Sequence, residues 1–194
     1  MPITSWAEYQ HYLREDQLAV APHMGRYRPW HAIKYPTLAF QRKLRLAEYM
    51  QNRSGSAIGR IIALAFRLRA RNAGMKLGFS IPPNVFGPGL SIAHYGTIVV
   101  NDRARVGARC RIHPGVVIGT KNGGEPIIGD DCYLGPGSKL IGGITLGDRA
   151  KVGANAVVTK SFPSDSVLVG LAARPINGAS STRGDDKPDA AALA

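Results

Sequence analysis

The chain has few aromatic residues, no long apolar run and no secretion signal. Aromatic residues make up 7% of its 194 residues, which disfavours a large sandwich core built from aromatic side chains. The apolar runs are shorter than the roughly 18 residues that a membrane span requires. The amino terminus, MPITSWAEYQ, has neither the basic start nor the apolar stretch of a signal peptide. We therefore expect one cytoplasmic domain with a small appendage.

Cysteine is also scarce. The chain has 2 cysteines, Cys110 and Cys132, and no Cys-x-x-Cys motif. Two separated thiols fit a reducing compartment, and a structural zinc site needs more ligands than these two residues supply. We therefore expect no metal site.

Acidic residues are outnumbered by basic ones, with 13 Asp and Glu against 25 Lys and Arg and a net charge of +12. Most of the excess lies in residues 1–76, which hold 13 basic and 4 acidic residues. Nucleic acid, an anionic membrane surface and an acidic ligand are the three candidate partners. Because this segment has no recognisable nucleic-acid-binding motif, we expect no nucleic-acid partner.

The basic segment is predicted to be helical. Apolar residues recur at helical spacing over 4–18, 37–52 and 56–73, with Gly74 as the expected end of the last helix, and the proline-rich residues 21–36 connect the first two. The last helix combines apolar residues with four arginines. Two interpretations remain open: it packs on its neighbours, or it lies on an anionic membrane. The residues are Ile58, Ile61, Ile62, Ala65, Phe66 and Leu68, with Arg60, Arg67, Arg69 and Arg71.

Glycine is abundant, and the second half of the chain repeats with a period of six. Ten aliphatic residues follow this period, and six of them are followed by glycine. Neither an amphipathic helix nor an alternating strand has this period, whereas a hexapeptide parallel β-helix does. The glycines suit corners where a positive φ or a close backbone approach is needed. The aliphatic positions are Val100, Val106, Ile112, Ile118, Ile128, Leu134, Leu140, Leu146, Val152 and Val158.

The spacing also predicts how the coils stack. Three units of six residues make one coil, so residues 79–160 form between four and five coils. Four extra residues between Ile118 and Ile128 predict a short inserted loop. Allowing for this loop, Cys132 stacks on Cys110, and both are expected to be small core side chains. The following DSVLVGLAARPI is expected to return over the last coil as a strand or arm.

The repeat region contains three characteristic stretches: IAHYGTIVVNDRARVG, IIGDDCYLGPGSKLIGG and ITLGDRAKVGANAVVTKSFPSDSVLVGLAARPI. With these stretches the sequence resembles the hexapeptide-repeat acyltransferases, in the branch of serine acetyltransferase and its polysaccharide O-acetyltransferase relatives. The resemblance implies a mainly β fold, a left-handed parallel β-helix over residues 77–176 after the α-helical segment 1–76. It also implies a homotrimer with clefts between prisms, in which an acyl group moves from acetyl-CoA to a hydroxyl group. The composition of residues 177–194 predicts a disordered tail.

The resemblance points to His94 as the general base, since this residue stands where serine acetyltransferases place their catalytic histidine. An imidazole has a pKa suited to this role near neutral pH. His113, one coil further on, is a second candidate for the same cleft. The acidic partner that the family places just before the histidine is Ala93 here, so Asp102 is the replacement that we expect, with a backbone carbonyl as the alternative.

The departures from the family concern the acceptor. The family's Asp and His in one motif are Ser80 and Pro82 here, and the inserted loop lacks the family's Arg and His. Free serine needs a cation for its carboxylate and an anion for its ammonium group. We therefore predict that the acceptor is a saccharide hydroxyl on a polysaccharide, a lipid-linked sugar or a nucleotide sugar. Serine O-acetyltransferase is the first alternative, and a non-catalytic binding or scaffold β-helix is the second.

The resemblance also implies where coenzyme A binds. The pantetheine arm is expected along a groove between two prisms, with positive side chains near its phosphates. The positions that match are Pro136, Ala154, Thr159, Lys160 and Arg174, with Lys139 as an additional cation. The expected location is cytoplasmic, with the alternative of a peripheral position at the inner face of the membrane through residues 1–76.

Overall fold

A computed structural model describes residues 2–121 and 123–170 of the chain. Four helices come first and parallel β-coils follow. The helices are α1 Trp6–Val20, α2 His31–Lys34, α3 Pro36–Asn52 and α4 Ala57–Leu77. The three long helices confirm the sequence prediction, and only α2, a single turn inside the connector, was not predicted. No helix of the described residues is long and apolar enough to cross a membrane.

The coils form a three-sided prism of parallel strands. We call the three sides the first, second and third face, in the order in which each coil passes through them. The first face holds β1 Phe79–Ser80, β3 Ile98–Val100, β6 Val117–Gly119, β9 Lys139–Ile141 and β12 Val157–Val158. The second face holds β4 Arg105–Val106, β7 Ile127–Ile128 and β10 Thr145–Leu146. The third face holds β2 Ser91–Ile92, β5 Arg111–Ile112, β8 Tyr133–Leu134, β11 Lys151–Val152 and β13 Val167–Leu168.

The prism contains about five coils and continues past residue 160, where the six-residue spacing ends, into the stretch that the resemblance assigned to the β-helix. The strand Val167–Leu168 pairs in parallel with Lys151–Val152, so it continues the third face as a further coil. Phe162 likewise bridges in parallel to Leu146 on the second face. The repeat there departs from strict six-residue spacing, which is why the spacing alone placed the end at residue 160. The part of the predicted arm beyond residue 170 lies outside the described residues, as does the predicted tail.

The ten aliphatic repeat positions are all buried, at 5% exposure or less, and they fill the interior of the prism. The strand register pairs Arg111 with Tyr133, which stacks Cys132 on Cys110. Both thiols are buried and free, and burial raises the pKa of Cys110 above its usual value. The prediction that the cysteines are core side chains is confirmed.

Five of the six repeat glycines allow close approach between coils, and at these five corners the positive φ falls two residues later. A Cβ at Gly107 would lie 2.7 Å from the Gly129 carbonyl of the next coil, closer than a side chain can come. The left-handed conformation is instead adopted by Arg109 (φ 54°) and Asp131 (φ 57°) at the same corners. Of the two reasons that the sequence offered for these glycines, backbone proximity is therefore the one that applies.

Helix α4 ends one turn later than predicted. Gly74 lies inside the helix, where an added Cβ would sit 3.0 Å from the Phe40 ring and 3.0 Å from the Phe79 carbonyl oxygen. The helix ends at Gly78, whose φ of 85° is the left-handed conformation that favours glycine. Gly74 thus allows close packing of α4 on α3 and the first strand, and it does not stop the helix.

Candidate functional site

His94 stands at the corner between the third and first faces, and equivalent residues of later coils stack above it. The register pairs Ile92 with Ile112, and Ile112 and Val152 each with Leu134. Two residues after each of these positions come His94, Pro114, Pro136 and Ala154. We call this column the His94 corner. Because strands are about 4.8 Å apart, the column from His94 to Ala154 is about 14 Å long.

The helical segment closes one side of a hollow beside His94. Val20 of α1, the α2 residue Lys34 and Tyr35, which follows α2, line a space of about 300 Å³ together with His94 and Arg111. Arg111 donates a hydrogen bond from Nη1 to the Ser91 hydroxyl at 3.3 Å, which fixes its guanidinium beside the third face. Two cations therefore share one hollow with the candidate base, and none of the described residues that line it is acidic.

The His94 ring is exposed and has no hydrogen bond to the chain within residues 2–121 and 123–170. It is therefore free to bind a substrate hydroxyl. A general base needs this accessibility, because it must come within hydrogen-bond reach of the proton that it removes.

His113 is partly buried and lies one coil further on, directly before Pro114 of the His94 corner. Its ring contacts the Tyr133 ring, with centroids 5.0 Å apart, and its Nε2 atom is buried without a hydrogen-bond partner in the described part of the chain. Burial, the Arg111 charge and the His94 charge together lower the pKa of His113 below its usual 6.5. The two histidines are thus close enough to interact electrostatically, and His94 is the more accessible of the two.

Asp102 does not reach His94 within one chain. Strand β3, Ile98–Val100, separates them across the first face, so Asp102 lies at the next corner of the prism. There it lines a groove of about 730 Å³ together with Ser80 and Arg105, next to α4. The expected pairing of Asp102 with His94 is therefore not formed here, because the strand carries the chain from one corner to another.

The coenzyme candidates fall into two groups. Pro136 and Ala154 are exposed on the His94 corner, and the Lys139 ammonium group donates to the Gly115 carbonyl of that same corner. Thr159 and Lys160 follow β12 and are exposed at the corner that Asp102 occupies. Arg174 lies outside the described residues.

Sequence reasoning missed the two cations of the hollow. Lys34 lies in a connector that the sequence treated as irregular, and Arg111 is the outward residue of an ordinary repeat strand. Nothing in the sequence predicted that Lys34 of α2 and Arg111 of that strand line the same hollow, since the helical segment has no repeat that sets its position on the coils.

Among the described residues, no group of three His, Cys, Asp or Glu side chains is arranged to hold a metal ion.

The bacterial transferase hexapeptide family (six repeats) matches residues 125–160. Serine acetyltransferase of Mycobacterium tuberculosis is 33% identical over 132 residues, covering 66% of this chain and 55% of the relative. Serine acetyltransferase of Helicobacter pylori is 36% identical over 104 residues, covering 51% of this chain and 61% of the relative. The chain thus spans little more than half the length of these curated relatives.

Solved structures extend the similarity to the helical segment. Serine acetyltransferase from Brucella abortus superposes with a TM-score of 0.67 at 28% identity, covering 88% of this chain and 69% of that chain. The structure of that enzyme in complex with coenzyme A gives a TM-score of 0.66 at 27% identity, covering 88% and 68%.

The coils and the repeat define the class: the chain is a hexapeptide-repeat protein folded as a left-handed parallel β-helix with an N-terminal helical region. Its homologues are serine acetyltransferases, which belong to the hexapeptide-repeat acyltransferases. The resemblance read from the sequence is confirmed.

Proposed function

We propose that this protein is an acetyl-CoA-dependent O-acetyltransferase whose acceptor is a small hydroxyl compound with a carboxylate, with free serine as the first candidate. The observation that carries the proposal is the hollow in which His94 lies beside Lys34 and Arg111. The curated relatives support serine, the alternative of the sequence analysis, better than they support a saccharide.

In the proposed reaction, the His94 imidazole accepts the proton of the acceptor hydroxyl. The hydroxyl oxygen then forms a bond to the thioester carbonyl carbon, the carbon–sulfur bond breaks, and the sulfur leaves as a thiolate. The His94 imidazolium returns its proton to that thiolate, so charge and atoms balance. General base catalysis of this kind contributes about 100-fold to 10,000-fold to a rate.

The cations explain how a carboxylate acceptor can bind although the inserted loop lacks the family's Arg and His. Arg111 is a planar donor suited to a carboxylate, and Lys34 supplies a second charge from the opposite wall. A space of about 300 Å³ suits a ligand the size of an amino acid. The two cations that bind the carboxylate would thus be Lys34 of the helical segment and Arg111 of the repeat strand.

The His94 corner suits the pantetheine arm of coenzyme A. Pro136 and Ala154 present compact exposed side chains, so the backbone beside them is open to the amide groups of the arm. Lys139, held at the same corner, and Lys160 are the candidate cations for the phosphates. Acetyl-CoA would supply the acyl group at the thioester end nearest His94.

A saccharide acceptor is the second candidate, and one observation favours it. The described residues that line the His94 hollow include no carboxylate, so an ammonium group has no anionic partner there. A saccharide has no ammonium group and needs no such partner.

The assembly is proposed to be a homotrimer in the cytoplasm. Val99 and Val157 point outward from the first face, and their exposures of 40% and 66% leave apolar surface for a neighbouring prism. A trimer would also bring the Asp102 corner of one prism near another copy. Light scattering with size-exclusion chromatography measures the assembly, and a monomer at micromolar concentration would contradict it.

The acceptor is tested by following thiol release from acetyl-CoA with serine, serinamide, glycerate and neutral saccharides. We expect serine to react much faster than serinamide, which lacks the carboxylate. Arg111→Gln should raise the KM for serine and leave the KM for acetyl-CoA unchanged. Arg109→Gln, which changes a paired surface arginine at the corner between the second and third faces, is the matched control.

The base is tested with His94→Ala, which should lower kcat by about 100-fold or more, while His23→Ala in the connector should have no such effect. Faster turnover of a neutral saccharide than of serine would establish the second candidate instead. Absence of thiol release and of any thermal shift with coenzyme A would favour the non-catalytic binding protein.

A further inference from the structure

Helix α4 places its small residues against the protein and its large apolar residues in solvent. The buried positions of its inner face are Ala63, Ala70 and Gly74. Ile58 and Ile61 are 72% and 68% exposed. A surface helix ordinarily buries its large apolar side chains. In α4 the small residues are buried instead, and the large apolar side chains are exposed to solvent.

The exposed apolar residues form one stripe. Ile61, Leu68 and Met75 are seven residues apart, and Leu64 lies between them on the same face at helical spacing. Their exposures range from 44% to 68%. We call this set the α4 stripe.

Cations border the α4 stripe on both sides. Arg60 and Arg67 precede Ile61 and Leu68 by one position, whereas Arg69 and Lys76 follow Leu68 and Met75 by one position. On a helix these positions fall on opposite flanks of the stripe. Long basic side chains at such positions lay their stems along apolar surface and extend their charges to the water interface.

The charge of α4 is of one sign. It holds five basic residues, with Arg71 as the fifth, and no acidic residue. None of these cations forms an ion pair within the part of the chain that the structure describes. The helix therefore presents an uncompensated positive charge around an apolar centre.

One flank is also concave. Lys43 of α3 joins Arg69 and Lys76 around a groove of about 660 Å³ that has Phe66 and Leu68 among its apolar lining residues. A lipid phosphate group has room there beside three cations, with its acyl chains next to the apolar surface.

From this arrangement we propose that the α4 stripe docks on the surface of an anionic lipid bilayer, with Ile61, Leu68 and Met75 inserted among the acyl chains. An apolar stripe flanked by cations is the pattern of helices that lie in a membrane interface. Packing of α4 on the α4 of a second copy is disfavoured, because it would bring like charges together with no acidic residue on either helix. The proposal does not depend on the acetyltransferase assignment.

The test is co-sedimentation of the full-length protein with vesicles made of equal parts phosphatidylcholine and phosphatidylserine. We expect binding to these vesicles, none to pure phosphatidylcholine, and loss of binding as salt is raised. Ile61→Gln with Leu68→Gln should weaken binding by about tenfold or more. Arg60→Gln with Arg69→Gln should do the same, since each cation near the surface contributes.

The matched control variants change residues of the segment 1–76 that lie outside α4. Ile33→Gln removes an isoleucine of 88% exposure outside α4, and Arg14→Gln with Arg26→Gln removes two exposed cations outside it. Both controls should bind as the wild type does. Thermal unfolding should be unchanged in every variant, because all the substituted side chains are exposed.

Three results would overturn the proposal. The first is equal binding to vesicles with and without phosphatidylserine, or none to either. The second is an equal loss of binding in the control variants. The third is a smaller oligomer for Ile61→Gln with Leu68→Gln in light scattering without lipid, which would make the α4 stripe an interface between copies.

Discussion

Arg45 of α3 and Asp16 of α1 form an ion pair in which both side chains are buried, with 2.8 Å between Nε and Oδ2. Arg45 also contacts Glu48 at 3.1 Å and donates to the carbonyls of Phe86 and Gly87 in the first coil. Burial opposes the charge, yet the two carboxylates hold the pKa of Arg45 above its usual value. This network joins the helical segment to the prism.

Arg45→Met should lower the free energy of unfolding by about 3–5 kcal/mol, because it leaves Asp16 and Glu48 buried without a cation. Lys43→Met, an exposed neighbour on the same helix, should change it by less than about 0.5 kcal/mol. Urea unfolding followed by circular dichroism measures both. A change below about 1 kcal/mol for Arg45→Met would contradict the role given to this network.

Gly74→Ala should destabilise the protein by about 1–3 kcal/mol although alanine favours helices. The added methyl group would meet the Phe40 ring, which can shift, and the Phe79 carbonyl, which cannot shift without moving a strand. Gly25→Ala, with open space around the added atom, should be nearly neutral in the same thermal unfolding assay. A stabilising Gly74→Ala would show that α4 can move away from the first strand.

The start of α1 should loosen in acid. Hydrogen bonds from the Thr4 and Ser5 backbone lower the pKa of Glu8 from 4.5 to about 2. Because the folded pKa is depressed, the stabilisation is complete above 4.5 and is lost as the pH falls towards 2. Carboxyl chemical shifts in NMR spectra report this pKa, and Glu8→Gln should abolish the pH dependence of the Ser5 amide. An ordinary pKa for Glu8 would show that the capping box is not formed.

His113 should titrate below the ordinary range of histidine, because burial, Arg111 and His94 all disfavour its charged form. Since its folded pKa is depressed, its contribution to stability is complete above pH 6.5 and declines as the pH falls through the lower folded value. Arg111→Gln should raise the pKa of His113 by removing one positive charge, as histidine NMR titration would measure. Arg109→Gln is the control and should leave that pKa unchanged. No shift in Arg111→Gln would show that the Arg111 charge does not contribute to the lowered pKa of His113.

The prism was predictable to the level of single residues. The ten aliphatic repeat positions from Val100 to Val158 were all assigned to the core, and the insertion before Ile128 was located. This was possible because each coil stacks on the preceding one, so the environment of a residue repeats every three units along the sequence. The six-residue spacing ended at residue 160, because the last coil keeps the geometry of the prism but departs from that spacing, and the strand expected beyond it is Val167–Leu168.

The candidate site was predictable only in part. His94 was found through its surrounding motif, but its partners were not. Asp102 looked near in the sequence, yet a strand carries it to another corner. Lys34 and Arg111 meet in the hollow through packing between segments about 77 residues apart, and no local pattern indicates such a contact.

The sequence by itself determined the coil, its interior and the corner on which His94 stands. In a stack of parallel coils, the number of residues between two positions fixes whether they lie next to each other in successive coils. Only the tertiary structure decided how the helical segment sits on the first coil. That placement depends on the buried Arg45 network and on the small residues of α4, which act through contacts between distant segments. It left the apolar stripe of α4 facing solvent and put Lys34 beside the candidate base.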